Sequence, residues 1–307
     1  MKKTLLLLIA IISSNIINAQ VQGNYYEDGL HEDSYYDGQI SSVGHYKDGV
    51  RTGKWKYFYE NSQLKKTGNY KNGEETSEWK YYYENGNLNL IGTFSSNHSK
   101  IGEWKYYHDN GQIRKVGKYD EQGYRIGNWK FYNKDGNLNK FGDFVRGNNP
   151  TKSSSLYMLA GQLIDDDDEN GLESGEWKYY YGNGYLSEIG DFEDGIRVGE
   201  WKTYTENGYL SQIGSYKVGV PVGEWKMYYD NGNLYNIGKV ENGKQVGEWK
   251  TYYISGNLNM VGKYDDGVQV GEWKLYDKNG VISQVGILEN GEVVKTINYI
   301  DGVEQKE

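Results

Sequence analysis

The chain has no cysteine. That excludes disulfides, a thiolate nucleophile, a cysteine-type zinc site and a lipid anchor on cysteine. There are two prolines in 307 residues, so strands can run without the interruption proline imposes. Hydrophobic residues make up 36%, below the roughly 45–50% of ordinary globular chains, which argues against a thick central core. Beyond the N-terminus no apolar run approaches the ~20 residues a membrane-spanning helix needs. Basic residues are the minority, 34 against 43 acidic, for a net charge of −9, which disfavours nucleic acid or anionic lipid as partner. Catalytic patterns are missing as well. The histidines are His31, His45, His98 and His108, with no His-Glu-x-x-His pair, no Gly-x-Ser-x-Gly elbow and no phosphate-binding P-loop. The sequence therefore reads as non-enzymatic.

What is abundant is glycine, 42 residues, and tyrosine, 32, beside 9 tryptophans. Many glycines with many amphipathic aromatics suit short strands joined by tight turns. The first residues are of another kind. Lys2 and Lys3 precede a continuous apolar run from Leu5 to Ile12, and a polar stretch ends at Ala19. This is the layout of a secretory signal peptide, with cleavage expected after Ala19, and it places the mature protein outside the cytoplasm: secreted, periplasmic or in the cell envelope.

One period governs the remainder. The tryptophans are Trp55, Trp79, Trp104, Trp129, Trp177, Trp201, Trp225, Trp249 and Trp273, mostly 24 or 25 residues apart, with one gap of 48. Each is followed by lysine. The third residue after each is aromatic, the ninth is Leu or Ile, and the thirteenth is glycine every time, from Gly68 to Gly286. Two weaker units fit the frame, with His31 and Ser154 where tryptophan is due. The organisation expected is a leader at 1–19, a cap and degenerate first repeat at 20–53, repeats at 54–144, a degenerate repeat with an acidic loop at 145–175, repeats at 176–291, and a C-terminal cap or tail at 292–307.

Within one unit, Trp225 to Tyr229 meets Asn231-Gly232 and a second run follows. Asn-Gly between such runs predicts a hairpin with a type I′ turn, both central residues at positive φ. That register pairs Tyr229 with Leu234, Met227 with Asn236, Lys226 with Ile237 and Trp225 with Gly238. The indole then covers a cross-strand glycine, which protects an otherwise weak strand position. Alternation puts tryptophan and leucine on one face, and lysine, the third-position tyrosine and Ile or Val on the other. The fold class predicted is all-β: an elongated single-layer array of about eleven tandem antiparallel β-hairpins.

The segment Tyr264-Asp-Asp-Gly267-Val-Gln-Val-Gly271-Glu-Trp273 resembles a MORN repeat. The fuller pattern, Gly-Glu-Trp-Lys-x-Tyr-Tyr, then Asn-Gly-x-Leu, then Ile-Gly-x-Tyr, is similar to the bacterial MORN-repeat variant labelled an antitoxin component. The resemblance covers roughly residues 31–291 and implies tandem hairpins in one elongated sheet, with lipid binding or protein scaffolding among the family's roles.

Two candidate sites follow. The Lys/Tyr face offers Lys178, Tyr180, Lys202, Tyr204, Lys226, Tyr228, Lys250 and Tyr252 as a binding ladder; the alternative is a solvated face. The acidic stretch offers Asp166, Asp168, Asn170 and Glu176 as calcium ligands, although Trp177 occupies the place where a calcium loop requires its bidentate Glu; a solvated loop is the alternative. No other cofactor is implied. The function expected is an exported, non-catalytic repeat scaffold binding an unknown protein partner through its β surface, with self-association through unpaired edge strands. The rivals are an envelope glycan-binding module using the Trp/Tyr ladder and, from the resemblance, a toxin-neutralising protein.

Overall fold

The computed structural model describes residues 26–146 and 171–305. The expected signal peptide, the Ser154 unit and the acidic residues Asp166, Asp168 and Asn170 lie outside the described residues. The chain divides into two units, Met1–Ser99 and Lys100–Glu307. All regular structure among the described residues is β, 22 strands in all.

In the first unit β1 (Gly29–Ser34) pairs with β2 (Ile40–Lys47), and the antiparallel meander continues through β3 (Val50–Phe58), β4 (Leu64–Lys71), β5 (Glu74–Tyr82) and β6 (Leu88–Phe94). In the second unit β7 (Lys100–Tyr107), β8 (Ile113–Tyr119), β9 (Arg125–Tyr132) and β10 (Leu138–Val145) are followed by β11 (Leu172–Tyr180). The repeats then run β12 (Leu186–Glu193), β13 (Ile196–Tyr204), β14 (Leu210–Lys217), β15 (Val220–Tyr228), β16 (Leu234–Glu241), β17 (Lys244–Tyr252), β18 (Leu258–Asp265), β19 (Val268–Tyr276) and β20 (Ile282–Glu289). The last full strand, β21 (Glu292–Ile300), pairs with β20, and the two-residue β22 (Val303–Glu304) pairs with its far end. The tandem-hairpin class read from the 24-residue period is therefore the fold within each unit.

The predicted register holds for Trp225 opposite Gly238, Lys226 opposite Ile237 and Met227 opposite Asn236. It fails at the tip. Leu234 sits opposite Tyr228, not Tyr229, across an irregularity between Met227 and Tyr228. The cause is the turn. Gly232 N–H donates to the Tyr229 carbonyl at 2.9 Å, and Tyr229 N–H donates to the Asn233 carbonyl at 2.8 Å. The loop is thus three residues long, with Gly232 alone at positive φ (+84°) and Asn231 outside that region. This is the type I turn closed by a glycine bulge, not type I′. The Asn231 carboxamide oxygen accepts from Asn233 N–H at 3.0 Å, an Asx contact that holds the turn.

The type I′ turns lie at the opposite ends of the strands. Asn242 and Gly243 have φ of 51° and 81°, and Glu241 pairs directly with Lys244. The first turn position is Asp or Asn at Asp48, Asn72, Asp194, Asn242, Asp266, Asn290 and Asp301, residues that tolerate the left-handed region. Val218, at φ 51° and 67% exposed, breaks the rule. A β-branched residue there is strained and gains no packing in return. Val218→Asn is expected to raise stability by about 1 kcal/mol, read from urea or thermal unfolding; a fall would mean the valine side chain carries a contact worth more than the strain.

The core is a file of indoles. Trp55, Trp79, Trp104, Trp129 and Trp177 are fully buried, and the others are at most 7% exposed. Eight of these rings, all but that of Trp104, are seen to lie on a glycine, but on the strand before, not the one after. A Cβ on Gly214 would fall 2.1 Å from the Trp225 ring, and one on Gly238 would fall 2.1 Å from Trp249. The register opposite the following glycine was predicted correctly, and the direction in which the ring leans was not. Consequently the indole joins neighbouring hairpins instead of bracing its own.

Two further contacts reinforce this joint. Several indole N–H groups donate to the carbonyl just past the covered glycine, as from Trp55 to His45, Trp79 to Asn69 and Trp249 to Lys239, at 3.1–3.2 Å. Aromatic rings alternate edge-to-face with the indoles. Phe144, Trp177, Phe192, Trp201, Tyr216 and Trp225 follow one another at centroid separations of 5.1–6.2 Å. Such T-shaped pairs add about 0.5–1.5 kcal/mol each beyond area burial.

The same joint explains how the frame passes the 48-residue gap. β10 pairs directly with β11, and Trp177 lies on Gly142, 35 residues back instead of the usual 11. The difference is one period, so the hairpin of Trp177 docks on β10 as if the Ser154 repeat were not in the sequence. At the C-terminal end Gly286 has no tryptophan following it. Among the described residues the near neighbour of an added Cβ there is Leu288 of the same strand, its Cδ1 3.5 Å away, so no indole covers this glycine.

Candidate functional site

The two faces of the repeats carry different chemistry. On the tryptophan face the indoles have little free surface. Backbone glycine lies beneath them, and in several hairpins a cation lies against the ring. The guanidinium of Arg51 is 5.1 Å from the Trp55 centroid, Arg125 is 5.1 Å from Trp129, and Arg197 is 3.9 Å from Trp201. Arg197 is also held by Glu188 through two bonds of 2.7 and 2.8 Å, the bidentate geometry that fixes a guanidinium. In the first unit Glu75 is buried and accepts from Lys66 Nζ at 2.6 Å, Tyr81 Oη at 2.8 Å and Tyr70 Oη at 3.2 Å. Burial pushes the Tyr70 and Tyr81 hydroxyls far above the ordinary phenol range, so both are neutral donors. Lys140 lies against Phe131 and Trp177 at 4.9 and 5.6 Å, and burial lowers its pKa.

The opposite face holds the lysines and tyrosines of the predicted ladder. Lys178, Tyr180, Lys202, Tyr204, Lys226, Tyr228, Lys250 and Tyr252 are all half-buried there. The lysines are engaged by the glutamate two residues before each. Lys178–Glu176, Lys202–Glu200, Lys226–Glu224, Lys250–Glu248 and Lys274–Glu272 close at 2.5–3.0 Å. Hydrogen bonding to that carboxylate raises the lysine pKa in each of these hairpins. Being exposed, these pairs contribute little stability. Their effect is a face of regularly spaced, paired charges between tyrosines. A shallow depression lies there, lined by Glu224, Ile237, Lys239, Glu248 and Lys250.

Of the four calcium candidates, Asp166, Asp168 and Asn170 are outside the described residues, and Glu176 is committed to Lys178 at 2.5 Å. Among the described residues no cluster of three or more His, Asp or Glu is placed to hold a metal ion.

Sequence reasoning missed a third line of residues, on the three-residue turns. The fourth residue after tryptophan reaches forward to the next hairpin. Tyr59 Oη donates to the Tyr82 carbonyl at 2.8 Å, Tyr181 to Tyr204 at 2.7 Å, Tyr229 to Tyr252 at 2.8 Å and Tyr253 to Tyr276 at 2.8 Å. Side-chain amides on the same turns do likewise. Asn183 Nδ2 donates to the Glu206 carbonyl, Asn233 to Ile254 and Asn257 to Lys278, at 2.7–2.8 Å. The signal was present in the second tyrosine of the Tyr-Tyr doublet, which strand alternation alone assigns no work.

No curated protein matches the sequence. Among solved structures, a TcdB2–TccC3–Cdc42 complex matches at 12% identity over 89% of this chain and 16% of that one, with a TM-score of 0.20. The Tc holotoxin pore of Photorhabdus luminescens matches at 12% identity over 90% and 17%, TM-score 0.18. A porin-like protein from Bacteroides uniformis matches at 10% identity over 90% and 91%, TM-score 0.14. The chain thus spans about a sixth of the length of the toxin structures it matches, and scores this low carry no conclusion about fold or function. The family described as MORN repeat variant matches six segments of the chain: residues 51–72, 75–95, 100–121, 197–217, 221–242 and 269–286.

Proposed function

We propose that the chain is an exported, non-catalytic scaffold that binds a protein partner through the Glu/Lys/Tyr face of its repeats. One observation carries this reading. The tryptophans serve the joints between hairpins, whereas a Glu-x-Lys-x-Tyr trio recurs on the opposite face with no comparable structural task. Complementary charge on a partner would be steered and registered by such a face, which is what interfacial charge does best. The glycan reading loses support, because a sugar ring stacks on an open aromatic face and these indoles are covered. Export rests on Lys2, Lys3, the Leu5–Ile12 run and Ala19.

The test reverses three of these charges. A variant carrying Lys202→Glu, Lys226→Glu and Lys250→Glu should lose at least tenfold of any stoichiometric partner recovered from the producing cell's envelope fraction. Its melting temperature should stay within a few degrees of wild type, since exposed pairs of this kind stabilise little. Unchanged recovery would remove the face from the interaction. Soluble oligosaccharides should leave tryptophan fluorescence unaltered, and N-terminal sequencing of the mature chain should begin at Gln20.

A further inference from the structure

The residue that closes the three-residue turn following each tryptophan is most often an amide, and at several turns it grips the next one. The Asn137, Asn233 and Asn257 side chains donate to carbonyls of the following hairpin at 2.7–3.0 Å, and the amide oxygens of Gln63 and Gln112 lie 3.1 Å from the Cβ positions of Gly86 and Gly136. The last such turn has Val281 instead, and two consecutive turns of the second unit depart from the pattern with a much larger residue. Tyr185 and Tyr209 stand there, 55% and 53% exposed. Each substitution replaces an amide with a large ring that is more than half exposed. Exposed aromatics that break a structural rule mark recognition sites.

The geometry narrows the ligand. The Tyr185 ring lies over the next turn, its Cδ1 at 3.1 Å from the Cβ position of Gly208, so its other side is turned outward. Two successive hairpins place the tyrosines two strand spacings apart, on the order of 10 Å. Prolines three residues apart in a polyproline II helix repeat at about 9 Å and dock on aromatic platforms. Polar groups beside the rings are already engaged. Asn183 accepts from Tyr185 N–H and donates to Glu206, and Thr205 Oγ1 accepts from Tyr209 N–H. That leaves few directional partners for sugar hydroxyls. The tyrosine hydroxyls remain to donate to carbonyls of a ligand whose prolines lack N–H groups. The exposed carboxylates of Glu206 and Asp230 on the adjoining turn tips favour a basic flank.

We infer that Tyr185 and Tyr209 form a docking site for an extended proline-rich segment of a partner protein, with a Pro-x-x-Pro spacing and a flanking arginine. This deepens the scaffold reading by naming the partner's chemistry. Fluorescence anisotropy with the full chain and a labelled dodecamer of that pattern should show saturable binding. Replacing both tyrosines by an amide that other units carry there, Tyr185→Asn with Tyr209→Asn, should weaken it at least tenfold without lowering the melting temperature. Equal binding by the double variant, or displacement of the peptide by cellohexaose at the same site, would overturn the assignment. Failure of the wild-type chain to bind the peptide, with its stoichiometric partner still recovered, would overturn it while leaving the scaffold reading in place.

Discussion

Trp225→Ala should damage the hairpin before it as much as its own. The ring is 7% exposed, lies on Gly214 of β14, and meets Tyr216 edge-on at 5.4 Å. Removing a buried tryptophan costs about 3–5 kcal/mol. In an array whose units touch only their neighbours, that loss falls on one joint instead of on a shared core. Hydrogen exchange should therefore show protection lost in Leu210–Lys217 together with Val220–Tyr228, while Val268–Tyr276 and Ile282–Glu289 keep theirs. If the loss were confined to β15 and β16, the indole would be bracing its own hairpin and not joining it to the one before. A second readout separates packing from hydrogen bonding. Trp225 Nε1 donates to its own strand at Val222, 3.2 Å away, so the loss between strands in this variant belongs to the ring and not to its N–H.

The period and the pairing were legible because 24-residue spacing, Asn-Gly turns and strand alternation all point the same way. The lean of the indole was not legible, and the reason is arithmetic. Each tryptophan has a glycine 13 residues ahead, and six of the nine have another 11 behind, as Trp225 has Gly238 and Gly214. Both lie on strands beside it, and a strict period gives no means of choosing. Only the ends of the array break the symmetry, where Gly44 precedes the first tryptophan and Gly286 follows the last. The turn error has a similar root. Asn-Gly occurs at both ends of the strands, at Asn231-Gly232 and at Asn242-Gly243, yet the first closes a three-residue loop and the second a two-residue loop. The dipeptide signals a turn without fixing its length, and the Leu234 mispairing followed from that. The lysines and tyrosines of the ladder still share one side of the strands, because alternation is insensitive to an error confined to the tip. The exposed pair Tyr185 and Tyr209 was hidden for the opposite reason: its meaning lies in departing from a turn-to-turn contact that becomes visible only in three dimensions.

The asymmetry of the indole joint makes a sharper prediction than any single variant. Gly214→Ala and Gly286→Ala are the same chemical change at the same place in the repeat, and they should behave differently. At Gly214 the new methyl would sit 2.1 Å from the Trp225 ring, inside any allowed contact, so the indole must leave its seat or the strands must part. Overpacking of this severity costs about 3 kcal/mol or more. At Gly286 the same methyl meets only Leu288 Cδ1 at 3.5 Å, an ordinary contact, and φ is not in the left-handed region. That change should be neutral within about 0.5 kcal/mol. The double variant Gly214→Ala with Trp225→Ala supplies the decisive measurement. If the clash is with the ring, the alanine adds little once the ring is gone, and the two losses should fall well short of additive, as expected for residues in direct contact. Paired variants at Gly238 and Trp225, opposite each other in register but not in ring contact, should come much closer to additive. The reverse result in unfolding free energies would place the indole on the strand ahead and reassign the joint between hairpins to something other than tryptophan.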